Sequence, residues 1–161
     1  MQTPEAGPRP VTAEEVERIR QVAGADPQGF MATARKDGTI QASMIRAGLF
    51  EHPLTGRLTV AALLRGWTVK LRHLRARPWA TVMFKAGNQW VTVEGRTSLI
   101  GPADPAEGYD FAGFPELRRA VYKAAGGTPT DEWEQLMDRE RRALVFVELD
   151  RVYSNQTRPV Q

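Results

Sequence analysis

Phe30-Met-Ala-Thr-Ala-Arg-Lys-Asp-Gly38, followed by Thr39-Ile-Gln-Ala-Ser-Met-Ile-Arg-Ala-Gly-Leu-Phe50, is the stretch that decides the fold. The helical period of the preceding residues stops at Phe30, and residues 30–35 read as a strand. Asp37-Gly38 is a tight hairpin signal, because both positions tolerate positive φ. Residues 39–50 are then the return strand.

Upstream, Thr12 and Glu15 form a capping box, in which each side chain satisfies the other's free backbone donor. Val16, Ile19 and Ala23 recur at helical spacing, and Gly24 closes that helix. Downstream, His52-Pro53-Leu54-Thr55-Gly56 is a second turn and residues 57–64 a third strand. Gly66 breaks it, and Thr68 caps a short helix ending near Arg77, before Pro78. Residues 79–85 and 89–100 form another hairpin around Gly87-Asn88. Helical spacing returns at 111–122 and 131–142, interrupted by Gly126-Gly127 and capped by Thr130. Residues 144–149 are a last strand.

About six strands joined mainly by hairpins, with helices on the flanks, predict a mainly β protein whose antiparallel strands close into a barrel and so remove exposed edges. The boundaries expected are a flexible leader over 1–11, one domain over 12–152, and a tail over 153–161. The length of 161 residues suits one domain with a real core. With no cysteine, disulfides and thiolate chemistry are excluded, and a cytoplasmic setting is compatible. No apolar run is long enough for a membrane helix. Two histidines, His52 and His73, make a histidine-built metal site unexpected.

Between Glu51 and Glu94 there is no acidic residue, although Arg57, Arg65, Lys70, Arg72, Arg75, Arg77 and Lys85 fall there. In a chain of net charge +3 this is a local positive field. Arg65-Gly66 ends a strand and Thr68 starts a helix, a junction suited to phosphate because a helix N-terminus offers free N–H groups and partial positive charge. Lys70, His73 and Arg77 share one helical face, while Trp67, Leu71 and Leu74 are expected to enter the core. A solvated basic face accounts for the same charges. In residues 89–96, alternation puts Val91, Val93 and Gly95 on the core side, and leaves Trp90 to face solvent, a partner or a ligand. Ser43, Ser98 and Ser154 have no adjacent histidine with an orienting carboxylate, so no hydrolytic triad emerges. His52 reads as a surface residue, and His73 as a phosphate contact or a surface group. Any redox chemistry would come from a cofactor.

The hairpin at 30–38, the strand at 57–64, Lys70-Leu-Arg-His-Leu74 with Pro78, and Trp90-Val-Thr-Val-Glu-Gly-Arg96 together resemble the pyridoxamine-phosphate-oxidase-like split β-barrels. The branch most resembled is the flavin/deazaflavin oxidoreductases of group B, which includes F420-dependent biliverdin reductases. The resemblance implies a dimeric antiparallel split barrel, a homodimer with two sites at its interface. It implies that Arg65, Lys70 and Arg72 hold the cofactor phosphate. The cofactor ring would lie along Ser43, Met44, Ile45 and Arg46 and along Ala61, Ala62, Leu63 and Leu64, with Gln89 and Trp90 of a partner closing the site. Hydride would pass to a planar, conjugated small molecule. The arginines at 72, 75 and 77 would suit the anionic tail of F420, with FMN as the alternative cofactor. Three departures stand out: Ala61-Ala-Leu-Leu64 is apolar where hydroxyls are common, His73 replaces an asparagine, and an extra residue lies between Gly66 and Lys70. A non-catalytic flavin- or haem-binding protein, using His52 or His73, is the competing class. Nucleic-acid binding is disfavoured because Trp67 and Trp79 read as buried, leaving no stacking platform.

Overall fold

The computed structural model describes residues 9–155. Its first hairpin pairs β1 (Gln28–Ala34) with β2 (Ile40–Glu51), Phe30 opposite Met44. The loop is three residues long, with Arg35 N–H donating to Thr39 O and Gly38 N–H to Arg35 O. Gly38 takes the left-handed conformation, φ 85°, that such a loop needs.

β3 (Leu58–Leu64), β4 (Trp79–Ala86), β5 (Gln89–Ile100) and β6 (Ala143–Glu148) complete the barrel. The order β4-β1-β2-β3-β6-β5 closes through a β4–β5 pairing, so six antiparallel strands leave no open edge in the ring. The two long strands change partners midway. β2 pairs with β1 through Arg46 and with β3 from Ala47; β5 pairs with β4 through Arg96 and with β6 from Thr97. These exchanges divide the barrel into two sheets.

β3 is buried on both faces. Val60, Ala62 and Leu64 enter the main core with Val82, Phe84, Val91, Val93 and Val147, and helix α1 (Ala13–Ala25) adds Ile19 and Val22. Ala61 faces the other way, into a second cluster with Ile100, Leu144 and Phe146. Helix α3 (Phe114–Ala124) covers that cluster with Phe114 and Val121. Helix α2 (Val69–Ala76) follows β3, and α4 (Asp131–Arg139) precedes β6.

Several expectations are corrected. Of the expected leader, residues 9–11 are described, and Arg9 meets both carboxylate oxygens of Glu15 at 2.7 and 2.8 Å. The rest of the expected leader, residues 1–8, and residues 156–161 of the expected tail lie outside the described residues. Arg151–Ser154 is a strand, β7, paired with β5 at 91–94. It continues the line of β6 after a one-residue slip, visible as Val147 opposite Thr97 but Arg151 opposite Glu94. The helix expected from 111 begins as a 3-10 turn, Phe111–Gly113, and α4 stops at Arg139 because Arg141 is left-handed, φ 48°. Trp67 is 65% exposed and Trp79 43%, against the expectation of burial. Trp67 precedes the helix, so the spacing it shares with Leu71 and Leu74 has no helical meaning. Trp79 sits on the outward side of β4, opposite Arg96. No helix among the described residues is long and apolar enough to cross a membrane.

Candidate functional site

A cavity of about 470 Å3 opens between β2, the end of β3, the start of α2, and the α3–α4 pair. That volume lies within the range of small-molecule sites. Arg65, Thr68, Lys70 and Arg142 give it a cationic, hydrogen-bonding part; Val121, Tyr122, Trp133, Leu136 and Met137 give it an apolar and aromatic part. Among the described residues, no carboxylate lines it.

The cationic part is built by three chain segments. Lys70, in the first turn of α2, donates from Nζ to Ser43 Oγ of β2 at 2.9 Å. Arg142 donates from Nη1 to Leu63 O at 3.2 Å and from Nε to Glu140 Oε2 at 2.6 Å. Arg65 Nε lies 3.3 Å from the other oxygen, Glu140 Oε1. Glu140 thus orients two guanidiniums, and one carboxylate is set against three cations. The turn carrying it is pressed onto the β3–α2 junction: Gly66 N–H donates to Glu140 O at 2.9 Å. A Cβ at Gly66 would stand 2.6 Å from Arg141 O, so only glycine admits this approach. Burial, reinforced by Arg142 and Arg65, holds the Lys70 ammonium below the usual lysine range. Thr68 occupies the N-cap of α2 without capping it, and its buried hydroxyl has no hydrogen-bond partner among the described residues. A buried orphan hydroxyl beside cations and a helix N-terminus is a donor set for a phosphate oxygen.

Of the residues expected in a site, Met44, Ile45, Arg46, Leu63, Leu64, Arg65 and Lys70 line this cavity, and Ser43 touches it through Lys70. Ala61 and Ala62 do not; they are buried in the two clusters on opposite faces of β3. Arg72 is exposed and outside the lining. Gln89 and Trp90 lie at the β4–β5 turn, away from the cavity of their own chain. Gln89 Oε1 accepts from Arg18 Nη1 at 3.0 Å, and Trp90 meets Tyr153 edge-on at 6.1 Å. Arg142, Tyr122, Trp133, Leu136 and Met137 line the cavity as well, beyond the residues the sequence singles out. Trp133, Leu136 and Met137 form an i, i+3, i+4 stripe on α4 that could have been read as a buried face; nothing local marks Arg142 among the mixed charges around it.

Two of the three arginines assigned to an anionic tail are already engaged. Arg75 meets both oxygens of Asp104 at 2.7 and 2.8 Å, and Arg77 Nε donates to Ala34 O at 2.9 Å. Asp104 is remote from the acid-free stretch in sequence but folds back onto it. The histidines are also placed differently: His52 and His73 are each only 8% exposed, and neither lines the cavity. Burial lowers the pKa of both. His73 Nδ1 lies 2.9 Å from Thr33 Oγ1. Ser98 does have a histidine neighbour, His52 Nε2 at 3.0 Å. Yet His52 Nδ1 accepts from Leu54 N–H, so the neutral ring carries its proton on Nε2 and donates to Ser98 instead of activating it. Among the described residues no group of three metal-ligating side chains gathers.

No protein-family model and no curated protein matches the sequence. Solved structures do match. The conserved hypothetical protein Rv2991 from Mycobacterium tuberculosis is 18% identical, with TM-score 0.61, over 95% of this chain and 89% of that one. A heme binding protein from Mycobacterium smegmatis is 18% identical, with TM-score 0.63, over 94% of this chain and only 57% of its own. A pyridoxamine 5'-phosphate oxidase-related, FMN binding protein from Nostoc punctiforme is 16% identical, with TM-score 0.56, over 88% and 80%. At such identities the likeness is one of architecture: six antiparallel strands with flanking helices form the split barrel of the pyridoxamine 5'-phosphate oxidase-like proteins.

Proposed function

We propose that the chain is an oxidoreductase using a phosphate-bearing flavin-type cofactor, FMN or F420, to pass a hydride to or from a planar conjugated small molecule. The observation that carries this is the cavity itself, cationic with an orphan hydroxyl in one part and aromatic in the other. Lys70, Arg142, Arg65 and Thr68 would hold the phosphate, and Arg46 would stand beside the ring. When bound, the flavin or deazaflavin supplies the hydride chemistry that no side chain of the cavity carries. The residues around it exclude water and fix its orientation. With Arg75 and Arg77 engaged, a long anionic tail would have the exposed Arg72 to meet it, so both cofactors remain in the proposal. Both buried histidines lie outside the cavity, which disfavours a haem ligated there.

A homodimer belongs to the same proposal. Met44, Phe30, Met83, Thr92 and Tyr153 are successive partners across β2, β1, β4, β5 and β7, and therefore share one outward row of the sheet. Phe30, Met44 and Tyr153 are exposed there. Met44 also lines the cavity, so a second copy covering the row would cap the site. Gln89, already held by Arg18, and Trp90 would then face a partner's cavity.

Titration of the purified protein with FMN and with F420, followed by absorbance and fluorescence, tests the proposal. Saturable binding, weakened roughly ten- to a hundred-fold in Lys70→Ala, is expected. No binding of either cofactor at high micromolar concentration would sink it. Binding without turnover of any conjugated acceptor would make the chain a carrier, and tight, salt-sensitive DNA binding would favour a nucleic-acid role instead.

A further inference from the structure

The apolar third strand leaves a question open: what holds a planar ring where β3 offers only Leu63 and Leu64 to the cavity? The α3–α4 pair supplies an alternative surface. Tyr122 and Trp133 are stacked, ring centroids 4.5 Å apart and planes 18° from parallel. Gly127 lies flat against the Tyr122 ring, so close that a Cβ there would strike it. The Arg46 guanidinium stands 6.0 Å from the same ring centre and donates to Ala125 O at 3.0 Å. Tyr122 is half-buried and lines the cavity too, but its ring is packed between Gly127 and Trp133. Trp133 is only half-buried, lines the cavity, and has Tyr122 as its only aromatic stacking partner among the described residues. Its backbone is fixed too, because Trp133 N–H donates to the N-cap hydroxyl Thr130 Oγ1 at 3.1 Å. Gly127, Tyr122 and Trp133 form a pile whose last member faces the cavity and is held in place before any ligand arrives.

We propose that Trp133 is the ring-recognition residue of this cavity: a planar fused ring stacks on its indole as the next layer of the pile, while the phosphate of the same molecule sits at Lys70 and Arg142. This rests on the functional reading above and adds to it a specificity determinant on a helix outside the barrel. The ligand it selects carries a flat aromatic system and an anion on the same molecule. Sequence-tolerant stacking of this kind discriminates flat from saturated rings without reading hydrogen-bonding edges.

The test separates ring from phosphate. Trp133→Leu keeps an apolar wall without a stacking face, and Trp133→Phe restores one. Affinities for FMN, riboflavin and ribose 5-phosphate are measured in each, with unfolding midpoints as a check on integrity. Trp133→Leu is expected to weaken FMN and riboflavin by the same factor, roughly ten- to a hundred-fold, and to leave ribose 5-phosphate unchanged. Trp133→Phe should recover most of the loss. Arg142→Ala should do the reverse, weakening FMN and ribose 5-phosphate but not riboflavin. FMN binding that survives Trp133→Leu overturns this inference alone. So does an equal loss for ribose 5-phosphate, which would mean that the variant distorts the anion seat. A wild-type protein that binds neither FMN nor F420 overturns the functional reading and this inference with it.

Discussion

Lys70, which the sequence singles out, and Arg142, which nothing local marks, meet in the same cavity. Lys70 is held below its usual pKa by burial and by two guanidiniums, so it loses its proton earlier than an exposed lysine as pH rises. Anion affinity should therefore fall on the alkaline side, at a pH below that of an ordinary lysine. Lys70→Arg should abolish that fall, and dissociation constants for FMN measured from neutral pH upward would check it. Arg142 is tied to Leu63 O and Glu140, and so is already oriented when an anion arrives. Removing a charge-assisted contact of this kind costs about 1.5–3 kcal/mol, and Arg142→Ala should lose FMN affinity accordingly in calorimetric titration. The two arginines already engaged within the chain are equally instructive. Arg75 belongs to the acid-free stretch, yet its counter-charge, Asp104, comes from beyond that stretch. Charge counted along a chain is not charge available in space.

At the level of single elements, α1 illustrates local determination. Thr12 accepts from Glu15 N–H at 3.1 Å and Glu15 accepts from Thr12 N–H at 3.0 Å, as the capping box requires. Thr12→Ala should cost about 1 kcal/mol in thermal or denaturant unfolding. The hydrogen bond from Arg9, aided by Thr12, lowers the Glu15 pKa from 4.5 to about 2. A carboxyl depressed in the folded state contributes stability above its unfolded pKa and loses it as pH falls through the folded value. The stability difference between wild type and Glu15→Gln should therefore be full above pH 4.5 and shrink toward pH 2. A difference that stays constant across that window would contradict this. The α4–β6 turn behaves in the opposite way, depending on a distant element. Gly66→Ala would push a Cβ toward Arg141 O, displacing the turn that carries Glu140 and Arg142. Overpacking of this sort costs about 1–3 kcal/mol. FMN affinity should fall with it, which unfolding curves and titrations on the same variant would show together.

For the whole molecule, the outward row from Met44 to Tyr153 is the feature most in need of a partner. Its strands belong to the closed ring or pair with it, so backbone hydrogen bonding does not explain why Phe30 and Met44 remain exposed. Phe30→Glu should leave the fold intact, since the side chain is on the surface, and should convert a dimer into monomers in light scattering. Cofactor affinity should drop at the same time, because the open side of the cavity would lose its cover. A wild type that is monomeric at micromolar concentration would rule the dimer out.

The hairpins, the capping box of α1, the alternation of Val91 and Val93, and the glycine break before α2 were all legible in order along the chain. Each depends on residues within a few positions of one another, where side-chain period and backbone preference act directly. The barrel class followed from them, because a run of antiparallel hairpins has few ways to hide its edges. Ring closure through β4–β5 and partner exchange in β2 and β5 then decided what no local pattern carries. They gave β3 a packed cluster on each of its two faces, one taking Ala62 and the other Ala61. They also brought Arg142, Tyr122 and Trp133 from the far end of the chain to Lys70 and Arg65. Secondary structure is set by short-range sterics and periodicity; a cavity is set by which distant surfaces must meet once the core is closed.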